Sequence, residues 1–223
     1  MKYHIDFDLD FKHNPYKGFF IAIEGIDGSG KTTQARLLAT KLGRQKHEIS
    51  LTKNPTNSPV GQLAEQVIKK QISLPDVALQ YLFTADRQIH QLEVLEALKQ
   101  GQIVISDRYF WSSVVYGLAD KKDVDYRKDG NIYLVAYSIL SMYFQLVVPD
   151  LTIYLNVSAK VALKRLAKLE RSKEYYEQED KLTKAVNGYD WLIKKFPKEI
   201  KAVDGTQKEE EITKEIFNHI KLK

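Results

Sequence analysis

The stretch Glu24-Gly25-Ile26-Asp27-Gly28-Ser29-Gly30-Lys31-Thr32-Thr33 constrains this chain more than any other, because residues 25–32 fit the spacing G-x-x-x-x-G-K-[ST] without a mismatch. The flanks carry the context such a loop needs. Phe19-Phe20-Ile21-Ala22-Ile23 reads as a buried strand before it, and Ala35, Leu38, Ala39 and Leu42 mark one helical face after it. Glycines in the loop let the backbone close on an anion, so that successive N–H groups and the positive end of the next helix point at it. The pattern implies a nucleoside triphosphate site built from Gly25, Ile26, Asp27, Gly28, Ser29, Gly30, Lys31, Thr32 and Thr33. Lys31 is expected to reach the β- and γ-phosphates, and the Thr32 hydroxyl to hold Mg²⁺, which binds through few protein ligands plus substrate phosphates.

A chain of 223 residues suffices for one well-buried α/β domain, and no linker or internal repeat divides it. Residues 1–17 show no clear period and are set apart as an N-terminal extension; residues 18–223 form the expected domain. The absence of cysteine excludes disulfides and thiolate metal sites and suits a reducing, cytoplasmic setting. No signal-peptide pattern stands at the N-terminus. The most apolar run, 132–148, is interrupted by Tyr137, Ser138, Ser141, Tyr143 and Gln145, and falls short of the ~20 residues of a membrane span. It is expected to be a buried or interface helix. A net charge of +5 and a pI near 9.0 suit polyanionic ligands. The basic residues are spread rather than gathered, so phosphorylated small molecules are expected and nucleic acid is not.

Strand and helix then alternate. Strands are expected at 48–52, 103–106, 151–155 and 200–203, and helices after Pro59 (with Val60, Leu63, Val67 and Ile68 inward), at 75–99, 132–148, across 159–195 and at 209–220. The 75–99 helix carries Val77, Leu82, Ile89, Leu92, Leu95 and Leu98 at near-helical spacing. Asp107-Arg108-Tyr109 ends the third strand, which puts a carboxylate and a guanidinium where doubly wound sheets bind ligands. The fold class expected is α/β: a three-layer P-loop NTPase fold with a five-stranded parallel sheet wrapped by helices, and the basic middle of 159–195 at Arg165, Lys168 and Arg171 reads as a solvated face or as a mobile lid at about 164–178.

Four motifs in order, the loop at 24–32, Leu82-Phe83-Thr84-Ala85-Asp86-Arg87, Asp107-Arg108-Tyr109 and Pro149-Asp150-Leu151-Thr152, resemble those of thymidylate kinases over about residues 18–220. The spaced Ser112, Ser113 and Tyr116 match the family's base-and-sugar segment. The resemblance implies Mg²⁺-dependent transfer of the γ-phosphoryl of ATP to dTMP, and a homodimer. It implies that Asp107 holds the metal with Thr32, that Arg108 neutralises charge between donor and acceptor phosphates, and that Asp27 lies near the acceptor. Phe83 would stack on the thymine and Arg87, four residues on, would bond its edge. The loop contains no arginine, so the γ-phosphate cation must come from the lid, with Arg165 and Arg171 as candidates. Six residues apart, they face about half a turn away from each other on a straight helix.

The chain departs from the family at two places. It reads Thr52-Lys53-Asn54-Pro55 where relatives usually read Thr-Arg-Glu-Pro, and Tyr116-Gly117 where many read Tyr-Gln. Lys53 then stands in for the arginine that grips the acceptor phosphate. A related deoxynucleoside monophosphate or nucleoside kinase with another acceptor, and a nucleotide-binding paralogue without turnover, are the alternatives. A nucleoside kinase needs a carboxylate beside its acceptor hydroxyl, and Asn54 stands where one would be convenient.

Overall fold

All six residues of Phe19–Glu24 are buried, as a strand must be when both faces of its sheet are covered by helices. Their side chains divide by alternation. Phe20 and Ala22 enter one hydrophobic cluster, and Phe19, Ile21 and Ile23 the other. Those two clusters are the two interfaces of a three-layer structure. The computed structural model describes residue 8 and residues 10–119, 129–168 and 175–222.

The elements are β1 (Lys12–His13), β2 (Phe19–Glu24), α1 (Lys31–Arg44), β3 (Ile49–Lys53), α2 (Pro59–Ile68), α3 (Asp76–Lys99), β4 (Ile103–Asp107), α4 (Phe110–Ala119), α5 (Asp129–Ser141), β5 (Val147–Val148), β6 (Leu151–Asn156), α6 (Ala159–Ala167), α7 (Tyr175–Lys195), β7 (Ile200–Asp204) and α8 (Glu209–His219). The main sheet has five parallel strands in the order β3-β4-β2-β6-β7, which is the expected architecture. Leu38 and Leu42 of α1 join Ile212 and Ile216 of α8 on one face. On the other face Val94 and Leu98 of α3, Trp111 and Val114 of α4, Ile139 of α5 and Leu192 of α7 pack together. Register levels the functional ends: Asp107 is opposite Ile23 of β2 and opposite Lys53 of β3. The order reverses beside β2, where an open α/β sheet leaves its binding crevice.

Local sequence explains the helix starts. Ser58 accepts a bond of 3.0 Å from Gly61 N with Pro59 in the first turn of α2, and Ser158 accepts from Val161 N at 3.3 Å to open α6. Glu209, Glu210 and Glu211 complement the dipole of α8. Among the described residues, no helix is long and apolar enough to cross a membrane.

Three expectations change. The run 132–148 is not one helix: α5 stops at Ser141, residues 142–146 turn, and β5 follows. Ser138 and Ser141 bond back to Val135 O and Ser138 O, 2.9 and 2.8 Å, which competes with continued helix. The apolar residues of α3 mark its buried face only at its C-terminal end, where Leu98 is buried and Leu95 packs on the core. Val77, Ile89 and Leu92 are exposed, and the helix instead buries Gln80, Asp86, Arg87, His90 and Gln91 ahead of Val94 and Leu98. On α2, Ile68 points outward while Gly61 and Ala64 are buried.

Within the extension, β1 pairs in parallel with β5, Lys12 opposite Val147 and His13 opposite Val148. Asn14 Nδ2 donates to Gly18 O (2.8 Å) and to Asp150 Oδ2 (2.6 Å), and the same carboxylate oxygen accepts from Phe20 N (2.8 Å). Phe11 packs its ring 5.6 Å from Trp111 and 5.8 Å from Phe196. Phe11→Ala is therefore expected to lower the unfolding free energy by about 2 kcal/mol, a partly buried aromatic losing contacts and leaving a void. Urea unfolding followed by fluorescence measures it, and an unchanged midpoint would detach this segment from the core.

Candidate functional site: the crevice at the ends of β2, β4 and β3

The loop after β2 adopts backbone that only glycine takes readily. Gly28 has φ 78°, and a Cβ there would stand 2.5 Å from Ala162 O on α6. Gly30 opens α1, and Gln34 N returns a bond to its carbonyl at 2.9 Å. Lys31 is buried, and its Nζ donates to Ile26 O at 2.8 Å. Burial pushes its ammonium down to about 8 and Arg108 adds to this, while Asp27, Asp107 and Glu24 pull the other way. A charge so poorly solvated by its surroundings is suited to an anion brought against the loop.

Across the crevice, Thr32 Oγ1 donates to Asp107 Oδ2 at 2.5 Å. Arg108 follows with φ 71°, a left-handed conformation stabilised by Ser106 Oγ donating to its carbonyl (2.6 Å) and by its own N–H on Ile23 O (3.0 Å). That turn aims the guanidinium back at the loop. Its Nη2 meets Asp27 Oδ1 at 2.6 Å and Tyr116 OH at 3.3 Å, and its Nη1 meets Ser112 Oγ at 2.9 Å. Crowding in the crevice raises the Asp27 carboxyl, but Arg108 and Lys31 outweigh this and hold it below its ordinary value. Burial takes the Tyr116 phenol up to about 12, so it serves as a neutral hydrogen-bonding group.

Asp27, Lys31, Lys53, Arg108, Tyr116 and Lys181 are among the residues lining one cleft of about 860 Å³. Lys53 stands 3.6 Å from Glu65 of α2. Arg165 also lines the cleft, with Nη1 on Ser29 O (3.1 Å) and Nη2 on Gly205 O (2.8 Å), so it ties the loop to the segment after β7. Arg171 lies outside the described residues, as does the middle of the expected lid. Phe83 and Arg87 do share a face, with Cζ 5.6 Å from the ring centroid. Arg87 is buried: Nη1 donates to Ser113 Oγ at 2.8 Å, Nη2 to Tyr109 O at 3.0 Å, and Nε has no partner among the described residues. Ser112 and Ser113 thus belong to a buried network beside the cleft rather than to its surface.

Several participants carried no local signal. Glu24, fully buried at the end of β2, accepts from Tyr109 N (2.9 Å), Ser112 N (3.3 Å), Ser112 Oγ (2.5 Å) and Tyr189 OH (2.9 Å). Lys181, on α7, comes from a stretch that read as an ordinary polar helix. Asp86 and His90 bond the loop after β3, Asp86 Oδ2 to Thr56 N at 2.9 Å and His90 Nε2 to Thr52 Oγ1 at 2.7 Å. Gly117 is also explained: a Cβ there would collide with Ile139 Cδ1 and come within 3.2 Å of Gln80 Nε2.

Among the described residues, no cluster of three or more His, Cys, Asp or Glu could hold a metal. A hydroxyl and a carboxylate side by side, both hard oxygen donors beside a phosphate loop, fit a magnesium ion that takes its other ligands from water and substrate.

Sheet order, glycine loop and the paired Asp107-Arg108 define a P-loop nucleotide-binding protein of the α/β class. The family model described as thymidylate kinase matches residues 23–216. A protein described as probable thymidylate kinase from Pyrococcus horikoshii is 34% identical over 211 residues, covering 92% of this chain and 97% of the relative. A thymidylate kinase from Thermoanaerobacter is 33% identical over 208 residues, covering 92% and 98%. A solved structure of thymidylate kinase from Candida albicans superposes with a TM-score of 0.72 at 30% identity, covering 91% of this chain and 90% of that one. The chain belongs to the thymidylate kinase family.

His90 is buried, and burial takes it from 6.5 down to about 4, with Asp86 opposing and Arg87 assisting. The folded chain then holds this imidazole neutral while the unfolded chain protonates it, so stability is present above pH 6.5 and lost as pH falls from 6.5 towards about 4. The expected loss is on the order of 3 kcal/mol. Denaturant unfolding at pH 7 and pH 4.5 should show it, and His90→Gln should remove that share of the pH dependence.

Proposed function

We propose that the chain transfers the γ-phosphoryl of ATP to dTMP, giving dTDP and ADP. The observation that carries this reading is the level register of β2, β4 and β3. It brings the phosphate loop, Asp107-Arg108 and Lys53 to one cleft, with a donor side at Lys31 and an acceptor side at Lys53 and Tyr116. Backbone N–H groups of residues 28–33 and Lys31 hold the β- and γ-phosphates. Arg108 stands between them and the acceptor, held by Asp27 and Tyr116. An oxygen of the acceptor phosphate attacks the γ-phosphorus in line, and the bond to the β,γ-bridging oxygen breaks with its electron pair leaving on ADP. The acceptor is already an anion, so alignment and cations matter more than a general base. Thr32 and Asp107 hold Mg²⁺, which when bound offsets charge on the phosphate oxygens.

Phe83 and Arg87 serve the base, with Ser112 and Ser113 keeping Arg87 and Arg108 in place. Arg165 anchors the loop on the nucleotide side, and Lys181 or Arg171 supplies the further cation that the loop lacks. Residues 18–223 act as one domain with residues 164–178 as its lid. ATP as co-substrate and the absence of cysteine support a cytoplasmic setting.

The test is coupled ADP release with dTMP, dUMP, other nucleoside monophosphates and thymidine as acceptors. Turnover with thymidine but not dTMP would favour a nucleoside kinase, and none with any acceptor a paralogue that only binds nucleotide. In the same assay, Lys31→Ala is expected to abolish turnover, since a positioned cation contributes several kcal/mol to such a transition state. Lys53→Ala should raise the dTMP KM by about tenfold or more and leave the ATP KM alone, one charge-assisted bond being worth ~1.5 to 3 kcal/mol.

The homodimer is supported by Val77, Tyr81, Ile89 and Leu92 exposed along α3, the first two lining a depression with Leu134 of α5, with Leu92 70% and Leu134 71% accessible. Leu92→Glu should convert a sedimenting dimer into a monomer of about 25.8 kDa. A wild-type chain that already sediments at that mass would remove the dimer.

A further inference from the structure

Resting on the kinase reading above, we infer that α3 is a spacer that positions the loop of residues 52–58, with His90 and Asp86 as its positioning residues. The same helix that presents Phe83 and Arg87 to the base thereby fixes where Lys53 meets the acceptor phosphate.

The loop leaves β3, the edge strand of the sheet, and its backbone is paired only as far as Asn54, whose N–H donates to Asp107 O at 3.1 Å. Beyond that, α2 contributes Gln62 Nε2 on Asn57 O at 2.9 Å, and the buried side-chain contacts come from α3. His90 reaches residues on both sides of Lys53: Nε2 lies 2.7 Å from Thr52 Oγ1, and Nδ1 lies 3.3 Å from Asn54 Nδ2. With the Asn54 amide donating, Nδ1 accepts, so the hydrogen sits on Nε2 and is given to Thr52. One turn earlier, Asp86 accepts from Thr56 N (2.9 Å), Thr56 Oγ1 (2.5 Å) and Ser58 Oγ (2.8 Å). Ser58 caps α2, and a Cβ at Gly61 would stand 2.7 Å from Asp86 Oδ1, so the start of α2 closes directly on this carboxylate.

These side chains fill the inward face of α3. Asp86 and His90 have 1% exposure each, deep enough that a lost partner is not replaced by water. Lys53 closes β3 opposite Asp107, which fixes its backbone, while its ammonium meets Glu65 at 3.6 Å in an exposed pair that sets the side chain weakly. Its place therefore follows from the backbone on either side of it. Phe83 lies three residues before Asp86 and Arg87 three before His90 on α3, so each base contact is within one turn of a positioning residue. A fixed helix holds the base contacts and the phosphate contact at a set separation, and a nucleotide is recognised by whether its base and its phosphate fit both at once.

The test compares two probes, dTMP and thymidine, which share the base and sugar and differ by the phosphate. Affinities are measured by calorimetry for the full chain, His90→Ala and Thr52→Val, the last an isosteric change made outside the buried face of α3. Circular dichroism confirms folding. The expected result is that dTMP binding weakens by about tenfold in His90→Ala, and by less in Thr52→Val, while thymidine affinity stays within about twofold. His90→Gln, which can still donate to Thr52, should recover part of the loss. A dTMP-to-thymidine ratio that stays at the wild-type value in both variants would overturn the spacer, because a role confined to folding weakens both probes together. Equal affinity of the unaltered chain for the two probes would instead overturn the kinase reading, and the spacer with it.

Discussion

A carboxylate with no access to water stands at the end of the central strand, and the site is assembled around its need for partners. Glu24 cannot be left unpaired at that depth without a desolvation penalty of a few kcal/mol. Its oxygens take the first N–H groups of α4, through Tyr109 and Ser112, and the phenol of Tyr189 on α7. The acceptor for a helix start is thus supplied from another strand, 85 residues away in sequence. Because Glu24 directly precedes the phosphate loop, the loop, α4 and α7 cannot shift independently. Ser112 is shared between Glu24 and Arg108, so the buried carboxylate also fixes the guanidinium that faces the cleft.

The phosphate loop and the central strands were legible in the sequence because their causes are local: glycine spacing, alternation of apolar residues, and turn residues at the ends. The inward face of α3 was not. A period of apolar residues marks a buried face only when the face is apolar, and here Asp86, Arg87, His90 and Gln91 are buried because each finds a partner on another element. Several apolar residues of that helix, Val77, Ile89 and Leu92, were left to the outside, where Leu92 is 70% accessible, and only its C-terminal end buries apolar side chains, Val94, Ala97 and Leu98. Phe83 and Arg87 could be paired from their spacing alone. That Arg87 is held by Ser113 and Tyr109 O could not be, because those contacts cross between α3 and α4.

The extension shows the same limit from the other side. A two-residue strand has no period to detect, yet β1 lies along β5 and Phe11 joins Phe110, Trp111 and Phe196. The matched family region begins at residue 23, so β1 and Phe11 lie outside it while the residues they pack on lie inside. This packing bears on α4 at Phe110 and Trp111, next to Ser112, and so reaches the cleft through the buried side of the helix rather than through its mouth.

Two rigid supports therefore converge on Asp107 and Arg108 from opposite sides of the sheet. From one, α1 brings Thr32 against Asp107 and the phosphate loop against Arg108 through Asp27. From the other, α3 bonds Thr52 next to Lys53 through His90, and α4 brings Tyr116 to the same guanidinium. Both supports touch the Arg108 side chain, and its left-handed backbone is strain that these contacts offset. In-line transfer between two anions requires their phosphorus and oxygen to approach against mutual repulsion. A cation whose orientation is fixed from both faces of the sheet can offset such repulsion without first reorganising. Lys53 and Asn54 line the same cleft as the phosphate loop, whereas Gly117 packs against Ile139 and Gln80 away from it, so its departure bears on the helix packing behind the site.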